Sequence, residues 1–381
     1  MTEPQRIYLD GNSLGPPSPA TADALAAFVG QWGEDLIDGW NGVGDRPGWW
    51  DLAVTLGDRI APLLGAAPGQ VVVGDSTTVL WFKLVAAALR LRPERSTIVT
   101  QQGGFPTDRH AIDALGAPVL AVGPDELMGA LGPDTAVLAI THVDYRTGRR
   151  LDLAGLTAAA HAVGAIAVWD LSHSVGAMDL HLDDAEVDLA AGCTYKYLSG
   201  GPGSPAFGFV AARHVPVLEQ PIPGWVGHAD PFSMDERHAP DPGIRRLLSG
   251  TPPIVALVAL EAALDRFEDV DLAALRAHSI TLTERCIALA DELGLEVVTP
   301  RDPEQRGSHI ALRHPHAWAV VQAAIAAGVV GDFRPPDLVR FGFAPLSVTL
   351  ADVDEAMGRL GEILESAAWQ PWKDALRPVV T

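Results

Sequence analysis

Over its first two thirds the chain alternates short apolar runs with longer segments of helical spacing. Runs at 71–73, 97–100, 118–122, 136–141, 165–170, 188–193 and 206–210 predict strands. Between them, apolar residues recur at helical intervals over 18–37, 51–64, 79–91, 125–131 and 153–163, with a short helix also expected after the loop 103–108. Apolar strands that alternate with helices predict an α/β fold, a mainly parallel sheet covered on both faces. The texture changes after about residue 248. A long helix is expected to 267, another over 272–293, short strands at 296–298 and 309–313, a helix over 317–327, a strand at 338–343 and a last helix over 353–366. This reads as a smaller α+β C-terminal domain. The division expected is an arm over 1–45, a large domain over 46–255 and a small domain over 256–381. The arm, a short strand followed by a glycine- and proline-punctuated loop, is expected to return onto the small domain. The tail from Trp369 is proline-broken and is expected to lie along the surface.

Composition narrows the function. A chain of 381 residues, 48% hydrophobic and 20% charged, has the size of an enzyme with a substantial core. A net charge of -21 argues against nucleic-acid or anionic-membrane binding. It leaves room for a small anion held locally by backbone N–H groups. The two cysteines, Cys193 and Cys286, stand far apart without metal-ligand spacing, so no metal is expected and a reduced, cytoplasmic setting is. The stretch 1–6 lacks the apolar core of a signal peptide, and no run is long enough to span a bilayer.

Ligands of open parallel sheets sit at the carboxyl ends of the strands. Thr141, Asp170 and Lys196 fall at or just beyond such ends, and 105–108 follows another. There are only three lysines, Lys83, Lys196 and Lys373. Lys83 lies inside an apolar helix and Lys373 in the tail, so Lys196 is the candidate if the chemistry needs an amine. The run Gly74-Asp-Ser-Thr-Thr78 before a helix is either an N-cap cluster or a phosphate cradle. The loop 39–50, with three tryptophans, is either an aromatic-pinned loop or a substrate-side wall.

Seven short pieces, in order along nearly the whole chain, carry a resemblance: Gly11-Asn-Ser-Leu-Gly15, Phe105-Pro-Thr-Asp108, Tyr145-Arg-Thr-Gly148, Asp170-Leu-Ser-His173 with Val175-Gly176, Tyr195-Lys-Tyr-Leu198, Gly224-Trp-Val-Gly-His228 and Gly250-Thr-Pro-Pro253. In them the chain resembles the kynureninases, pyridoxal 5'-phosphate (PLP) enzymes of the aspartate-aminotransferase fold type, PLP fold type I. The resemblance implies a seven-stranded, mainly parallel sheet in the large domain. It implies hydrolytic Cβ–Cγ cleavage of kynurenine, with 3-hydroxykynurenine as a further substrate, to anthranilate and alanine. The setting it implies is tryptophan catabolism, the kynurenine pathway and NAD biosynthesis.

The same resemblance assigns roles. Lys196 would carry the cofactor and move the Cα proton, with Tyr195 assisting. Asp170 would pair with the pyridine nitrogen; the lesser alternative is a helix N-cap at a strand end. His173 would sit beside the cofactor, Phe105 would stack on its ring, and Pro106 and Thr107 would be among the cofactor-binding residues. Asp108 is the cofactor-side acid. Thr77 and Thr78 would hold the phosphate, and Thr141 would lie near the ring. Trp225 and Thr251 would complete the site of a neighbouring subunit, which implies a homodimer with shared sites. Arg340 would hold the substrate carboxylate, while Ser13, Trp40 and Asn41 would face its aromatic end. Two departures are Ser347, where relatives often have tyrosine, and Ser199-Gly-Gly, where a relative has Asn-Ala-Gly. Two rivals remain. A cysteine desulfurase-like lyase would need a reactive thiol, and an inactive PLP-fold scaffold would need no chemistry at all.

Overall fold

The computed structural model describes residues 6–374, 376 and 377. The stretch 1–5, which bears most of the signal-peptide reading, and the end of the proline-broken tail lie outside the described residues. The chain opens with strand β1 (Ile7–Tyr8) and helix α1 (Thr21–Asp35). Seven strands then form one sheet: β2 (Val71–Gly74), β3 (Thr97–Gln101), β4 (Val119–Val122), β5 (Thr135–Thr141), β6 (Ile166–Asp170), β7 (Leu189–Gly192) and β8 (Ala206–Val210). Their spatial order is β2-β8-β7-β6-β5-β3-β4. The pairs β3–β4, β3–β5, β5–β6 and β6–β7 are parallel. Strand β8 alone is reversed, antiparallel to both β7 and β2. The connection from Gly192 to Ala206 contains no helix to bring the chain back for a parallel return. Every residue of β5, β6, β7 and β8 is buried, which is why these strands read as unbroken apolar runs.

Helix α2 (Leu52–Ile60) packs on β2, and α3 (Thr77–Arg90) crosses β5, β6, β7 and β8. Helix α4 (Pro106–Asp113) rests on α3, and α6 (Leu153–Ala162) packs on β6. Between them, α5 (Leu127–Ala130) is one turn where a longer helix was expected, because Gly129 and Gly132 weaken it. The helix expected to reach residue 64 stops at Ile60 and tightens to a 3₁₀ turn over Ala61–Leu64, where Pro62 removes a donor. Helix α3 begins at Thr77, two residues earlier than expected, because the Ser76 hydroxyl accepts from the Val79 N–H and caps it. Thr77 and Thr78 therefore lie in its first turn. Between the sheet and its helices lie the fully buried Trp81, Trp169, Phe207 and Phe209. Burying a side chain such as Phe207 stabilises the fold by roughly 1.5–3 kcal/mol.

The remaining elements are α7 (Ile254–Leu264), α8 (Leu272–Glu292), β9 (Glu296–Val297), β10 (His309–Arg313), α9 (Ala317–Ala326), β11 (Val329–Val330), β12 (Asp332–Arg334), β13 (Leu338–Gly342) and α10 (Leu350–Glu365). Leu257, Leu260 and Leu264 of α7 belong to the large core. The antiparallel sheet β12-β13-β10-β9 backs onto α8 and α9 and forms a second core with α10. Helix α10 starts at Leu350, three residues earlier than expected, because Thr349 and Asp352 form a capping box. The N-terminal arm returns here. Strand β1 pairs parallel with β11, and the Gly342 N–H donates to the Leu9 carbonyl at 2.7 Å. A Cβ at Gly342 would fall 1.7 Å from Asn12 Oδ1, so the arm can cross only above a glycine.

Candidate active site

Strands β5 and β6 pair so that Thr141 lies beside Asp170, the last residue of each strand. Thr141 Oγ1 donates to Asp170 Oδ2 at 2.9 Å. The Ser172 N–H and hydroxyl both reach Asp170 Oδ1, at 2.9 and 2.6 Å. The Asp170 carboxylate is therefore buried and fixed by neutral donors alone. Beyond β7 the chain turns through Thr194, Tyr195 and Lys196. Lys196 Nζ lies 3.1 Å from His173 Nε2 and 5.9 Å above the Tyr195 ring. Burial, then the Lys196 charge, hold the His173 imidazole well below its usual range, so it stays neutral and accepts from the ammonium. Burial, then Cys193, push the Tyr195 phenol up, so it keeps its proton.

The arm sets the height of this turn. The Gly15 N–H donates to the Tyr195 carbonyl at 2.8 Å, and a Cβ at Gly15 would lie 2.1 Å from the Lys196 carbonyl oxygen. That contact explains why Gly-Asn-Ser-Leu-Gly ends in glycine.

The same cavity is lined by Ser76, Thr77 and Thr78 from the start of α3, and by Phe105, Thr107 and Asp108 from the start of α4. The first N–H groups of α3 have no acceptor within the helix and point outward, which suits an anion. Phe105 is 44% exposed and meets Tyr145 edge-on, with centroids 5.4 Å apart. Asp108 is held well above the usual carboxylate range, first by burial and then by the neighbouring Asp170 charge. Pro106 starts α4, where its missing N–H costs nothing, and does not line the cavity.

Arg340 lies outside this cavity, and its guanidinium is occupied. Asp332 stands opposite it across β12 and β13 and accepts from Nε at 2.8 Å and from Nη2. Nη2 also donates to Ser13 Oγ at 2.8 Å, and Nη1 donates to the Tyr145 carbonyl. Arg334 Nη2 reaches the same Asp332 at 2.6 Å. Burial would raise the Asp332 pKa, but Arg340 and then Arg334 carry it below its ordinary value. Asp10, buried next to it, is pushed up to about 7 by burial and by the Asp332 charge. Sequence reasoning missed Asp332, Arg334 and Asp10. The usable signal was the Pro335-Pro336-Asp337 turn, which folds 332 back onto 340. It also missed Ser172, which sat inside a quoted motif.

Ser13 joins the Arg340 cluster, whereas Trp40 and Asn41 do not approach the cavity. Trp40 packs against Trp49 and Trp50, and Trp50 against Trp225, with centroids 5.9, 6.4 and 5.5 Å apart. Trp225 and Thr251 are exposed and also outside the cavity. Among the described residues no group of three or more His, Cys, Asp or Glu could hold a metal, and no helix is long and apolar enough to cross a membrane.

Set against known proteins, the chain matches the model of the kynureninase C-terminal domain over residues 275–360. It is 45% identical to a kynureninase of Pseudomonas fluorescens, over 98% of this chain and 93% of that one. It is also 45% identical to a kynureninase of Burkholderia pseudomallei strain 1106a, again over 98% and 93%. The chain belongs to the kynureninase family. Kynureninases are hydrolases of carbon–carbon bonds, and the chain is an enzyme of this type. Solved structures share the fold at lower identity. A cysteine desulfurase from Thermococcus onnurineus NA1 matches with a TM-score of 0.79 at 17% identity, covering 95% of each chain. A C-DES mutant with glycine covalently linked to the PLP cofactor matches with a TM-score of 0.79 at 16% identity, over 94% of this chain and 96% of that one. The desulfurase rival keeps only the fold. Cys193 and Cys286 are both buried, and burial raises both thiol pKa values, so neither offers the mobile thiolate that such chemistry needs.

Proposed function

We propose that the chain hydrolyses the Cβ–Cγ bond of kynurenine to anthranilate and alanine, with PLP carried on Lys196. The supporting observation is the meeting in one cavity of Lys196, Asp170, Phe105 and the N-terminus of α3. This donor set fits the cofactor: an amine for its carbonyl, a carboxylate for its ring nitrogen, an aromatic wall for its ring, and hydroxyls with open N–H groups for its phosphate. Bound there, PLP supplies an electron sink for negative charge at the substrate Cα.

The chain's own residues do the rest. Asp170 keeps the ring nitrogen protonated by its opposite charge. Thr141 and Ser172 hold that carboxylate in place. Thr77 and Thr78 bind the phosphate. Phe105, with Thr107 at the head of α4, walls the ring, and Pro106 starts the helix that carries them. Asp108 faces the cofactor from the first turn of α4. Lys196 moves the proton at Cα, His173 accepts from it, and the protonated Tyr195 serves as donor. Arg340, with Ser13, orients the substrate carboxylate. Two guanidiniums facing one firmly ionised Asp332 leave positive charge for that group to meet.

Assembly and setting belong to the same proposal. The exposed Trp225 and Thr251 complete the cofactor site of a second copy, so the working form is a homodimer. Trp40 and Asn41 reach the substrate's aromatic end only if that copy's face closes the cavity. The setting is cytoplasmic tryptophan catabolism, feeding NAD biosynthesis. The test is to add kynurenine to the PLP-loaded protein and follow anthranilate fluorescence. Anthranilate should form with equimolar alanine, and 3-hydroxykynurenine should turn over with a lower kcat/KM. No anthranilate, with sulfide and alanine released from cysteine instead, would overturn the reading.

A further inference from the structure

Lys83 is fully buried in the second turn of α3. Leaving such an ammonium unpaired would cost several kcal/mol. All three of its protons have acceptors: Asp75 Oδ2 at 2.6 Å, Ser249 Oγ at 2.6 Å and the Leu247 carbonyl at 3.0 Å. These acceptors lie on two separate segments. Asp75 directly precedes the Ser76 cap and adopts a left-handed φ of 51°, a conformation that an Asp visits more readily than most residues with a Cβ. Leu247 and Ser249 belong to the strap that leads to Thr251. The strap lies tight against its surroundings. A Cβ at Gly74 would meet Leu248 Cδ2 at 2.6 Å, and one at Gly224 would meet the Ser249 carbonyl oxygen at 2.2 Å. Ser249 Oγ also donates to the Ile222 carbonyl, which ties in the segment of Trp225.

We propose that Lys83 is a positioning residue of the phosphate cradle: it neutralises Asp75 from behind and locks Ser76, Thr77 and Thr78 to the strap at Leu247 and Ser249. This rests on the reading of Thr77 and Thr78 as the phosphate-binding residues. A phosphate dianion held by Thr77 and Thr78 would be two to three residues along the chain from Asp75. Unpaired, that carboxylate would repel it, and the ion pair cancels the repulsion. Lys83 does this without touching the phosphate, since none of its protons is free.

The test compares PLP with pyridoxal, which lacks the phosphate, by titrating each into apoprotein and following tryptophan fluorescence. Lys83→Met should weaken PLP about tenfold or more, the size of a lost contact between charged groups, and leave pyridoxal unchanged. The double variant Lys83→Met with Asp75→Asn should recover most of the loss, because it removes the repelling charge; a purely structural role for Lys83 would show no recovery. Equal weakening of both ligands by Lys83→Met would overturn the proposal. Thr78→Ala separates this proposal from the cradle reading. If Thr78→Ala lowers the preference for PLP over pyridoxal and Lys83→Met does not, the brace is wrong and the cradle stands. If neither lowers it, the cradle reading falls and takes the brace with it. Should Lys83→Met fail to fold, Ser249→Ala cuts only the strap bond. It should weaken PLP about threefold, as loss of one hydrogen bond does, with pyridoxal unchanged, and no change would overturn the proposal.

Discussion

Asp170 and Asp332 are both buried carboxylates on the working side of the molecule, and they are held by opposite kinds of partner. Asp170 is clamped by hydroxyls and a backbone N–H, all neutral. None of these partners carries a charge, so none of them answers that of the carboxylate. Asp332 is clamped by Arg340, Arg334 and Ser13, so its charge is answered before any ligand arrives. One acid is held by dipoles alone, while the other keeps two guanidiniums in place. Burial alone does not separate these roles; the charge of the partners does.

Substitution can break this contrast. Asp170→Asn keeps the acceptor oxygen that Ser172 or Thr141 needs but removes the charge. Turnover should fall about a hundred- to a thousandfold, with the urea midpoint nearly unchanged. A large loss of stability with turnover intact would erase the distinction between the two acids. Asp332→Ala should do the reverse, costing about 3–5 kcal/mol in urea unfolding because it strands the buried Arg340 guanidinium, with the half-buried Arg334 beside it. A smaller loss would mean that Ser13 and the Tyr145 carbonyl suffice to hold Arg340.

The effect that depends on pH concerns Asp10, whose pKa rises from 3.8 to about 7 on folding. Between those values the folded chain keeps a proton that the unfolded chain has lost. Wild-type stability therefore falls as pH rises through that window, by up to about 1.4 kcal/mol per unit. Asp10→Asn removes the slope, so the variant should gain on the wild type between pH 4 and pH 7 and hold its advantage above. A stability difference that ignores pH would contradict the coupling of Asp10 to Asp332.

What was legible in the sequence follows the same division. Thr141 was legible as the end of the strand beside Asp170, and Ser172 lay inside the Asp170–His173 motif, although its bond to Asp170 was not read from it. The turn at Lys196 was legible for the same reason, and the scarcity of lysine singled it out. Strands β11 and β12 carried too few residues to signal themselves, and Asp332 sits on one of them. Its contact with Ser13 spans 319 residues, which no local pattern contains. Lys83 was read as a lysine lost in an apolar helix. Its role depends on Ser249 and Leu247, more than 160 residues away, which only the fold brings near.

The central claim is that one lysine, at the turn after β7, carries the cofactor. Borohydride reduction of the PLP-loaded protein, followed by peptide mapping, tests it directly. The account predicts a yellow protein whose label, once fixed, sits on Lys196 alone. A label on Lys83 or Lys373 would contradict it.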